Sequence, residues 1–298
     1  MDALLTVFTP TYNRAYILHE CYESLKRQTS GEFVWLIIDD GSTDETAELV
    51  REWIQEEAMT ICYHYQENQG MHGAHNTAYK LIQTELNVCL DSDDYFADDA
   101  VEKITSFWRQ FGHGHYAGIV ALDAYPSGEI VGTALPHSMK AATLSDLYMR
   151  YNVKGDKKLI YRTEFTSKTP PYPIYEGETY CPLSYKYILI DQICPLLIMD
   201  EVVCYVEYLN DGSSLNMVQQ YRKNPRGFSF FRKVAMKYAP TWDECLREAI
   251  HYVSSNLFIR NHRFLIESPC KWTTLFAIPF GFMLHLYIRF TRRQTVMK

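Results

Sequence analysis

The chain has 298 residues, of which 47% are hydrophobic and 22% are charged, and its formal net charge is −7. This composition is typical of a folded globular protein and excludes a disordered one. The acidic balance argues against a protein that coats nucleic acid, because such proteins usually present a basic surface.

Eight cysteines are scattered along the chain, and no two of them form a C-x-x-C pair. Several lie in apolar runs, as Cys89 does, so buried free thiols are favoured over zinc ligands or disulfides. Free thiols indicate a reducing, cytoplasmic compartment. We expect no secretion signal, since the chain enters a strand pattern directly at Leu4.

The first hundred residues alternate short apolar runs with helical patterns. Strands are predicted at residues 4–9, 33–38, 61–65 and 87–90, and helices at residues 15–28, from 42 or 43 onward, and at 74–84. This alternation predicts an α/β fold with a mostly parallel, doubly wound, Rossmann-like sheet flanked by helices. Ligands of such open sheets bind at the carboxyl ends of the strands, which is where the polar clusters of this sequence stand.

The pattern changes after residue 115. Strands are predicted at residues 119–122, 130–132 and 202–208, a helix at 143–151, an ordered loop at 168–177, and helices beyond 216. We therefore predict a catalytic domain over residues 1–217, followed by a helical C-terminal extension over residues 218–298. Within the catalytic domain, residues 1–115 are expected to bind a nucleotide and residues 116–217 an acceptor.

The C-terminal stretch 275–288 is apolar apart from His285 and is interrupted by Pro279 and Gly281. It is shorter than the about 20 apolar residues that span a bilayer. Basic residues follow it, and aromatic rings beside cations would suit contact of residues 270–298 with an anionic membrane surface. A buried helix packed on the catalytic domain is the alternative.

Three carboxylates stand within four residues in the segment 91–94, at the end of a predicted strand. Adjacent like charges repel one another, so a cation would stabilise such a cluster. Oxygen ligands suit Mg²⁺ or Mn²⁺, which are commonly held by one or two carboxylates together with substrate phosphates. A solvated acidic loop is the alternative interpretation.

A second acidic cluster, residues 39–44, ends the second predicted strand. A carboxylate at this place can accept hydrogen bonds from a base N–H or from ribose hydroxyls, although an ordinary capped turn has the same composition. The chain has neither a G-x-G-x-x-G nor a G-x-x-x-x-G-K-[ST] loop, which weighs against dinucleotide redox enzymes and P-loop NTPases.

Several segments occur in a characteristic order, at residues 10–14, 25–29, 39–44, 68–70, 74–76 and 91–94. Together they resemble the N-terminal half of family 2 glycosyltransferases with the GT-A fold, and the segment 91–94 matches the D-x-D element of that family. Shorter segments at 155–157, 176–178 and 207–212 resemble the bacterial cell-surface polysaccharide branch.

The resemblance implies an inverting transfer of a sugar from a nucleotide-diphosphate sugar, most often a UDP-sugar. The acceptor would be a hydroxyl of a growing glycan or lipid-linked saccharide, so the enzyme would work in the cytoplasm, at the inner face of the cell membrane. By the same match, Pro10, Tyr12 and Asp40 would hold the base and ribose. Asp93 with Asp91 or Asp94 would hold the metal, Mn²⁺ or Mg²⁺, and the diphosphate.

Further residues of the matched motifs are expected to contact the nucleotide sugar: Thr11, Asn13, Asp39, Asn68, Gly70, Asn76, Asp91 and Ser92. His75 stands where the family usually has a basic residue, and a neutral imidazole would weaken a cationic contact there. A pairing of His75 with His72 as metal ligands is not favoured.

An inverting transfer needs a general base near the acceptor hydroxyl. In much of the family this base belongs to an acidic pair written E-D, whereas this chain has Glu178 followed by Thr179. Glu178 is the predicted base and Glu176 its substitute; surface charges on a lid are the alternative for both. The loop 211–214 is expected to close over the diphosphate. The candidate phosphate partners are Lys154, Lys157, Arg222 and Lys223.

Two rival functions stay open. A nucleotidyltransferase on a similar sheet would carry a glycine-rich, basic loop after the first strand, where this chain has Thr-Pro-Thr-Tyr-Asn-Arg at 9–14. A catalytically degenerate transferase that serves as a scaffold in a polysaccharide assembly complex would lack a metal carboxylate. All three acidic residues of 91–94 are present.

Overall fold

The computed structural model describes residues 3–207 and 217–291. These residues divide into two compact units. The first contains residues 3–171 and 189–207, and the second contains residues 172–188 and 217–291. Residues 172–188 thus group with the C-terminal helices. The predicted domain boundary near 217 adjoins residues 208–216, which lie outside the described part of the chain, and it stays a prediction.

The first unit is built on one mixed sheet. Its strands are β1 (Leu5–Thr11), β2 (Phe33–Asp39), β3 (Ile61–Tyr65), β4 (Leu86–Cys89), β5 (Tyr95–Phe96), β6 (Gly118–Ala124), β7 (Ala141–Ala142), β8 (Lys157–Arg162) and β9 (Leu196–Tyr205). Its helices are α1 (His19–Lys26), α2 (Thr46–Glu56), α3 (Met71–Leu81), α4 (Ala100–Phe111) and α5 (Thr163–Lys168), with a π-helical turn at Asp146–Arg150. Helix α6 (Ser184–Asp191) begins in the second unit and ends in the first.

Within the described residues the strand order is β3-β2-β1-β4-β8-β6-β9-β5, with β7 paired to β9. Strands β3, β2, β1 and β4 are parallel, whereas β8 lies antiparallel between β4 and β6. Strand β9 runs parallel to β6. The predicted helix-flanked α/β sheet is confirmed, but the sheet is mixed rather than mostly parallel, because β5, β7 and β8 pair antiparallel with their neighbours.

Aromatic rings fix α1 and α2 on the sheet. Tyr22 of α1 and Trp53 of α2 stack with ring centroids 4.4 Å apart, and both rings lie against Trp35 of β2. All three side chains are buried in the main hydrophobic core. Stacked aromatic pairs add to the free energy gained from burying their area, so this cluster stabilises the helix layer over the parallel strands.

The helices begin elsewhere than predicted because side-chain and backbone contacts set their starts. Residues before α1 form a turn in which the N–H groups of Ile17 and Leu18 donate to the carbonyl of Arg14. Asp44 Oδ1 accepts from the N–H and hydroxyl of Thr46, at 3.2 and 2.6 Å, so α2 begins at Thr46. Helix α3 begins directly after Gly70, whose φ is 78°.

The predicted strand at residues 130–132 is wrong. Its only ladder contact among the described residues is an isolated bridge between Ala124 and Ile130. Gly132 has a φ of 75°, and a Cβ there would lie 2.0 Å from the carbonyl oxygen of Lys154. The chain therefore turns against a neighbouring loop instead of extending along the sheet.

The second unit is helical, as predicted beyond residue 216. It contains α7 (Met217–Lys223), α8 (Pro225–Lys237), α9 (Trp242–Phe258), α10 (Phe264–Glu267) and α11 (Lys271–Phe290). Thr241 caps α9 by accepting a hydrogen bond from the Glu244 N–H at 3.5 Å. A small core with Tyr252 and Val253 at its centre joins α9 to α11.

The expectation that the C-terminal apolar stretch is short and broken is wrong. Helix α11 runs through Pro279 and Gly281 without interruption, although a proline inside a helix removes one backbone hydrogen bond and its ring crowds the carbonyl four residues earlier. Among the described residues, α11 alone is long and apolar enough to cross a membrane, judged by length and composition.

Candidate active site

The carboxyl ends of four parallel strands bring the sequence-predicted polar segments to one edge of the sheet. Thr11 at the end of β1 pairs with Asp39 at the end of β2, and Phe8 of β1 pairs with Cys89 at the end of β4. The Asp40 N–H donates to the Thr11 carbonyl at 2.8 Å. The segments 10–14, 39–44, 66–70 and 90–94 therefore share one edge, as the strand pattern predicts.

Asp40 organises the loop that follows β3. Its Oδ1 accepts hydrogen bonds from Gln66 Nε2 at 2.7 Å and from the Gln69 N–H at 2.9 Å. Burial raises the pKa of this carboxyl, and the hydrogen bonds from Gln69 and Gln66 oppose the shift. Asp40 is thus a buried acceptor that holds the loop of Asn68 and Gly70 beside the end of β2.

Asp39 is occupied by contacts inside the protein. Its side chain is fully buried; Oδ1 accepts from the Ser42 N–H at 2.7 Å, and Oδ2 accepts from the Tyr63 hydroxyl at 2.5 Å. Burial and the carboxylate of Asp39 raise the pKa of Tyr63. These contacts give Asp39 a structural task at the strand end, and its contact with a nucleotide stays a prediction.

The loop after β1 is tied to the loop after β2. Asn13, with a φ of 52°, accepts the Thr43 N–H on its Oδ1 at 2.7 Å and donates its own N–H to Ser42 Oγ at 2.9 Å. Pro10 is buried, while the ring of Tyr12 is 49% exposed. Two buried atoms nearby, Thr11 Oγ1 and Gln66 Oε1, have no hydrogen-bond partner within the described residues.

Gly41 permits the close approach of two loops. A Cβ at this position would lie 3.0 Å from the backbone nitrogen of Asn68, and the φ of 88° disfavours other residues. The backbone after β2 therefore packs directly on the loop after β3, at the sheet edge where the polar segments meet.

Helix α3 turns His75 into the core. The ring is fully buried, with Nδ1 at 3.2 Å from the Tyr79 hydroxyl and Nε2 at 3.7 Å from Cys89 Sγ, and it meets the Phe8 ring edge to face. His72 is also buried, and Asn76 is half-buried on the same helix. The expectation that the two histidines are not a metal pair stays a prediction.

The thiols of Cys21 and Cys89 contact the acidic turn 91–94. Cys21 of α1 donates its Sγ–H to the carbonyl oxygens of Asp91 and Asp94, at 3.2 and 3.0 Å. Cys89 Sγ lies 3.5 Å from Asp91 Oδ1. Burial, reinforced by the neighbouring carboxylates, raises the pKa of Cys21, so this thiol stays protonated and keeps its donor.

Asp94 points into the protein. Its Oδ2 lies 3.3 Å from Nζ of Lys158, and the same ammonium is 3.9 Å from Oδ1 of Asp123. Burial raises the pKa of Asp94 to about 7, although Lys158 opposes the shift. Burial alone would lower the pKa of Lys158, but Asp123 and the other acidic neighbours raise it. Asp94 and Asp123 thus share one buried cation.

These contacts leave two carboxylates of the turn in half-buried positions, Asp91 and Asp93, with buried Ser92 between them. In the described ranges 3–207 and 217–291, no group of three or more His, Cys, Asp or Glu side chains converges as a metal site. Two carboxylates with diphosphate oxygens fit the usual ligand set of Mg²⁺ or Mn²⁺. Asp94 as a third ligand stays a prediction that its contact with Lys158 does not favour.

Glu178, in the second unit, caps a helix. Its Oε1 and Oε2 accept the N–H groups of Arg226 and Gly227, both at 2.9 Å, in the first turn of α8. Burial raises the pKa of Glu178, and the two N–H groups oppose the shift. Glu176 is exposed. The predicted role of either residue as a base stays a prediction.

Two of the predicted phosphate partners have structural contacts. Lys157 donates its ammonium to the carbonyls of Val131 and Lys154, at 2.8 and 2.9 Å. Arg222 donates to the carbonyls of Ile288 and Thr291 at the end of α11. Lys154 and Lys223 are exposed. The predicted closing loop 211–214 lies outside the described residues.

Sequence reasoning missed Gln66, Lys158, Asp123 and Cys21. For Lys158 a signal existed, since it directly precedes the apolar pair Leu159-Ile160 and a buried lysine is unusual unless it is paired. The other three carried no local signal, because each acts on a residue more than 20 positions away.

Solved structures at low sequence identity share the fold. Residues 1–349 of Staphylococcus aureus TarS, in complex with UDP, align with a TM-score of 0.59 at 16% identity, covering 97% of this chain and 90% of that chain. The mannosyltransferase PcManGT from Pyrobaculum calidifontis, in complex with GDP-Man and Mn²⁺, aligns with a TM-score of 0.55 at 14% identity, covering 96% and 88%.

Sequence relatives match the N-terminal part. Glycosyltransferase GlyA of Streptococcus pneumoniae serotype 4 is 32% identical over 120 residues, which is 39% of this chain and 17% of the relative. The chain spans less than half the length of each of the first curated relatives it matches. The family model for glycosyl transferase family 2 matches residues 6–165. Because this match covers more than half of the chain, the protein belongs to glycosyl transferase family 2.

Proposed function

We propose that the protein is an inverting glycosyltransferase of cell-surface polysaccharide synthesis. It transfers a sugar from a nucleotide-diphosphate sugar, foremost a UDP-sugar, to a hydroxyl of a growing glycan or lipid-linked saccharide. The observation that carries the proposal is the convergence of residues 10–13, 39–40 and 91–94 at one sheet edge in a chain of this family. The TarS complex with UDP supports the donor class.

The nucleoside binds over the crossing of the first two loops. The exposed ring of Tyr12 offers a stacking surface, and buried Thr11 and Gln66 each supply an oxygen without a protein partner among the described residues. Asp40 keeps Gln66 in place through its 2.7 Å hydrogen bond. The other motif residues complete the donor site: Pro10, Asn13, Asp39, Asn68, Gly70, Asn76 and Ser92.

Asp91 and Asp93 hold Mn²⁺ or Mg²⁺ together with the diphosphate. The ion, when bound, offsets negative charge on the departing diphosphate. The complex of PcManGT with GDP-Man and Mn²⁺ supports a metal in this fold. Lys158 contributes by holding Asp94 of the same turn in a buried ion pair.

The remaining step is proton removal from the acceptor. The acceptor oxygen attacks the anomeric carbon, the bond from that carbon to the diphosphate oxygen breaks, and a carboxylate takes the hydroxyl proton. We assign this carboxylate to Glu178, with Glu176 as its substitute. The half-buried position and raised pKa of Glu178 suit a base, while its two helix N–H contacts compete with that role.

Glu178→Gln tests the assignment. Glutamine keeps one oxygen for the helix N–H groups but is a far weaker base, so transfer should fall by about 10²–10⁴-fold while the UDP dissociation constant is unchanged. The matched control is Glu176→Gln, measured in the same transfer assay and by calorimetry. Unchanged turnover with a lowered melting temperature would show that Glu178 is a helix cap only.

The reaction itself is tested with a panel of nucleotide sugars, each with and without Mn²⁺. Ligands of the native state raise its apparent stability, so the binding donor should raise the melting temperature before any acceptor is known. Hydrolysis of that donor would then identify an enzyme. Binding without hydrolysis or transfer across the panel would favour a scaffold, and pyrophosphate release from a nucleoside triphosphate would favour a nucleotidyltransferase.

We place the protein in the cytoplasm at the inner face of the cell membrane, where a lipid-linked acceptor is held. The eight cysteines support a reducing compartment, since those with described positions are free thiols. Contact of the C-terminal segment 270–298 with the membrane is part of this proposal.

A further inference from the structure

Helix α11 turns small and polar side chains toward the protein. Its buried positions are three or four residues apart and form one stripe along the whole helix. They are Thr274, Ala277, Gly281, His285 and Ile288. Only one of the five is a large apolar residue, so the stripe fits a neighbouring helix closely but buries little apolar area.

The opposite face of α11 carries its large apolar side chains. Trp272 is 84% exposed, Phe290 70% and Met283 57%. More of the same kind surround them: Leu275, Phe276, Phe280, Phe282, Leu286 and Tyr287. A surface helix of a globular protein normally has the reverse arrangement, with its apolar stripe inward, so this face needs an apolar environment outside the unit.

The apolar face continues onto α9. Trp242, the first residue of α9, is 59% exposed, and its ring lies 6.0 Å from that of Phe276. Tryptophan and tyrosine favour the boundary between lipid and water because their rings combine an apolar body with a polar tip. The extended surface, called here the α11 face, comprises Trp242 and the exposed apolar residues of α11.

The charges around this face match an anionic surface. Lys271 begins α11 and Arg289 lies in its last turn, and both are exposed. From residue 268 to the C-terminus the sequence contains five basic residues and no acidic one, although the whole chain carries a net charge of −7. Basic residues beside an apolar helix face are attracted to anionic lipid headgroups.

Packing on α9 determines how α11 meets the bilayer. A Cβ on Gly281 would lie 2.5 Å from Cβ of Val253, so the two helix backbones are in close contact at this point. Further along, the rings of Phe258 and His285 lie 4.2 Å apart. Helix α9 carries Glu244, Arg247 and Glu248, and α11 could not enter the hydrocarbon without breaking its contact with α9 or bringing these charges along.

We propose that the α11 face docks on a bilayer that contains anionic lipid, with α11 lying in the plane of the surface rather than crossing it. This deepens the membrane location proposed above. Its test needs neither donor nor acceptor, so a failure of docking and a failure of the transferase reaction can be told apart.

The experiment measures flotation of the full-length protein with vesicles of phosphatidylcholine alone and with vesicles that also contain phosphatidylglycerol. We expect binding to the second kind only, with release by high salt. The combined variant Trp272→Ser, Met283→Ser, Phe290→Ser should weaken binding by at least about tenfold, because three apolar side chains no longer enter the interface. The matched control is Ile193→Ser in the first unit, a residue that is 60% exposed.

A second variant, Lys271→Glu with Arg289→Glu, should remove the preference for phosphatidylglycerol. Thermal unfolding confirms that each variant is folded. Resistance of the wild-type protein to extraction by salt and alkali would overturn the proposal in favour of a spanning helix. Absence of vesicle binding would overturn it as well, and a dimer lost in the triple variant would then assign the face to a second copy of the chain.

Discussion

The sheet edge of the first unit and the α11 face of the second differ in which side chains are buried and which are exposed. At the sheet edge, carboxylates, an amide and a lysine are buried and paired with one another, as Asp40 is with Gln66 and Asp94 with Lys158, while Gln66 Oε1 has no partner among the described residues. On α11, large apolar rings are exposed while small and polar residues are inside. Because each arrangement costs free energy in an isolated soluble chain, each indicates a binding function.

The largest effect is expected from removing the cation beneath the sheet edge. Lys158→Met leaves Asp94 and Asp123 buried without their shared ammonium, which should lower the free energy of unfolding by about 3–5 kcal/mol. Denaturant titration measures this loss. The control is Lys103→Met, whose partner Asp99 lies 3.1 Å away in a more exposed pair, and it should cost at most about 1 kcal/mol.

If the two lysine variants lose equal stability, the buried set does not organise the edge. Adding Asp94→Asn to Lys158→Met should restore part of the loss, because one uncompensated charge is then removed. A double variant no more stable than Lys158→Met alone would contradict the pairing.

The next effect concerns activity at the same edge. Asp93→Asn should lower transfer with Mn²⁺ by at least about a hundredfold, since the proposed metal ligand is lost while the fold is kept. Asp98→Asn is the control from the same segment; this exposed residue pairs with Arg27 at 3.1 Å and should leave transfer unchanged. Equal rates in the two variants would remove Asp93 from the metal site.

A smaller effect is expected on the inward side of α11. Gly281→Ala places a methyl group 2.5 Å from Val253 Cβ, so α9 and α11 must move apart at a cost of about 1–3 kcal/mol. Thermal unfolding measures this cost. Ala277→Gly probes the same stripe by removing a methyl group instead of adding one. A neutral Gly281→Ala would mean that the helix pair is looser than the structure has it, and that α11 is free to leave α9.

The smallest expected effect is a pH dependence of the unfolding free energy that has opposite sign in the two units. Burial raises the pKa of Asp191, in the first unit, from 3.8 to about 6. Between these two values the folded chain holds a proton on this carboxyl that the unfolded chain has lost. The contribution of Asp191 to stability therefore disappears as the pH rises from about 4 to about 6. Burial lowers the pKa of His251, in the second unit, from 6.5 to about 4, so its contribution disappears as pH falls through that window.

The full shifts correspond to about 3 kcal/mol each, and solvent screening of these half-buried groups should reduce this to about 1–2 kcal/mol, measured as the difference in unfolding free energy between wild type and variant across pH 4–7. Asp191→Asn should remove the first slope and His251→Gln the second. Slopes of the same sign would show that burial does not set these two titrations.

The parallel half of the sheet was predictable because its signals are local. Continuous apolar runs marked β2 and β3 to within one residue of their ends, and the polar segments followed directly. Helix starts were predicted less well: Asp44 and Gly70 fix them through a side-chain contact and a positive φ, which depend on the folded loops.

The remainder depended on contacts between distant residues. Lys158 reaches Asp94 across 64 positions, and no spacing rule predicts that an antiparallel strand enters between β4 and β6. The inward stripe of α11 contains threonine, glycine and histidine, which hydrophobic periodicity assigns to the outside. Packing against α9 reversed that assignment.

The reversed direction of β8 has a consequence for biosynthesis. Strand β4 acquires its second neighbour, and Asp94 its cation, only from residues 157–162. During translation, the acidic turn 91–94 therefore remains incomplete until about 70 more residues have been made, and β4 is an unpaired edge in the meantime. A nascent chain that paused before β8 would expose the unpaired edge of β4, which can pair with strands of other chains. Beside it, the Asp94 carboxylate would lack its partner Lys158. The sheet edge that carries the acidic turn is thus completed only by strand β8, which is made after it.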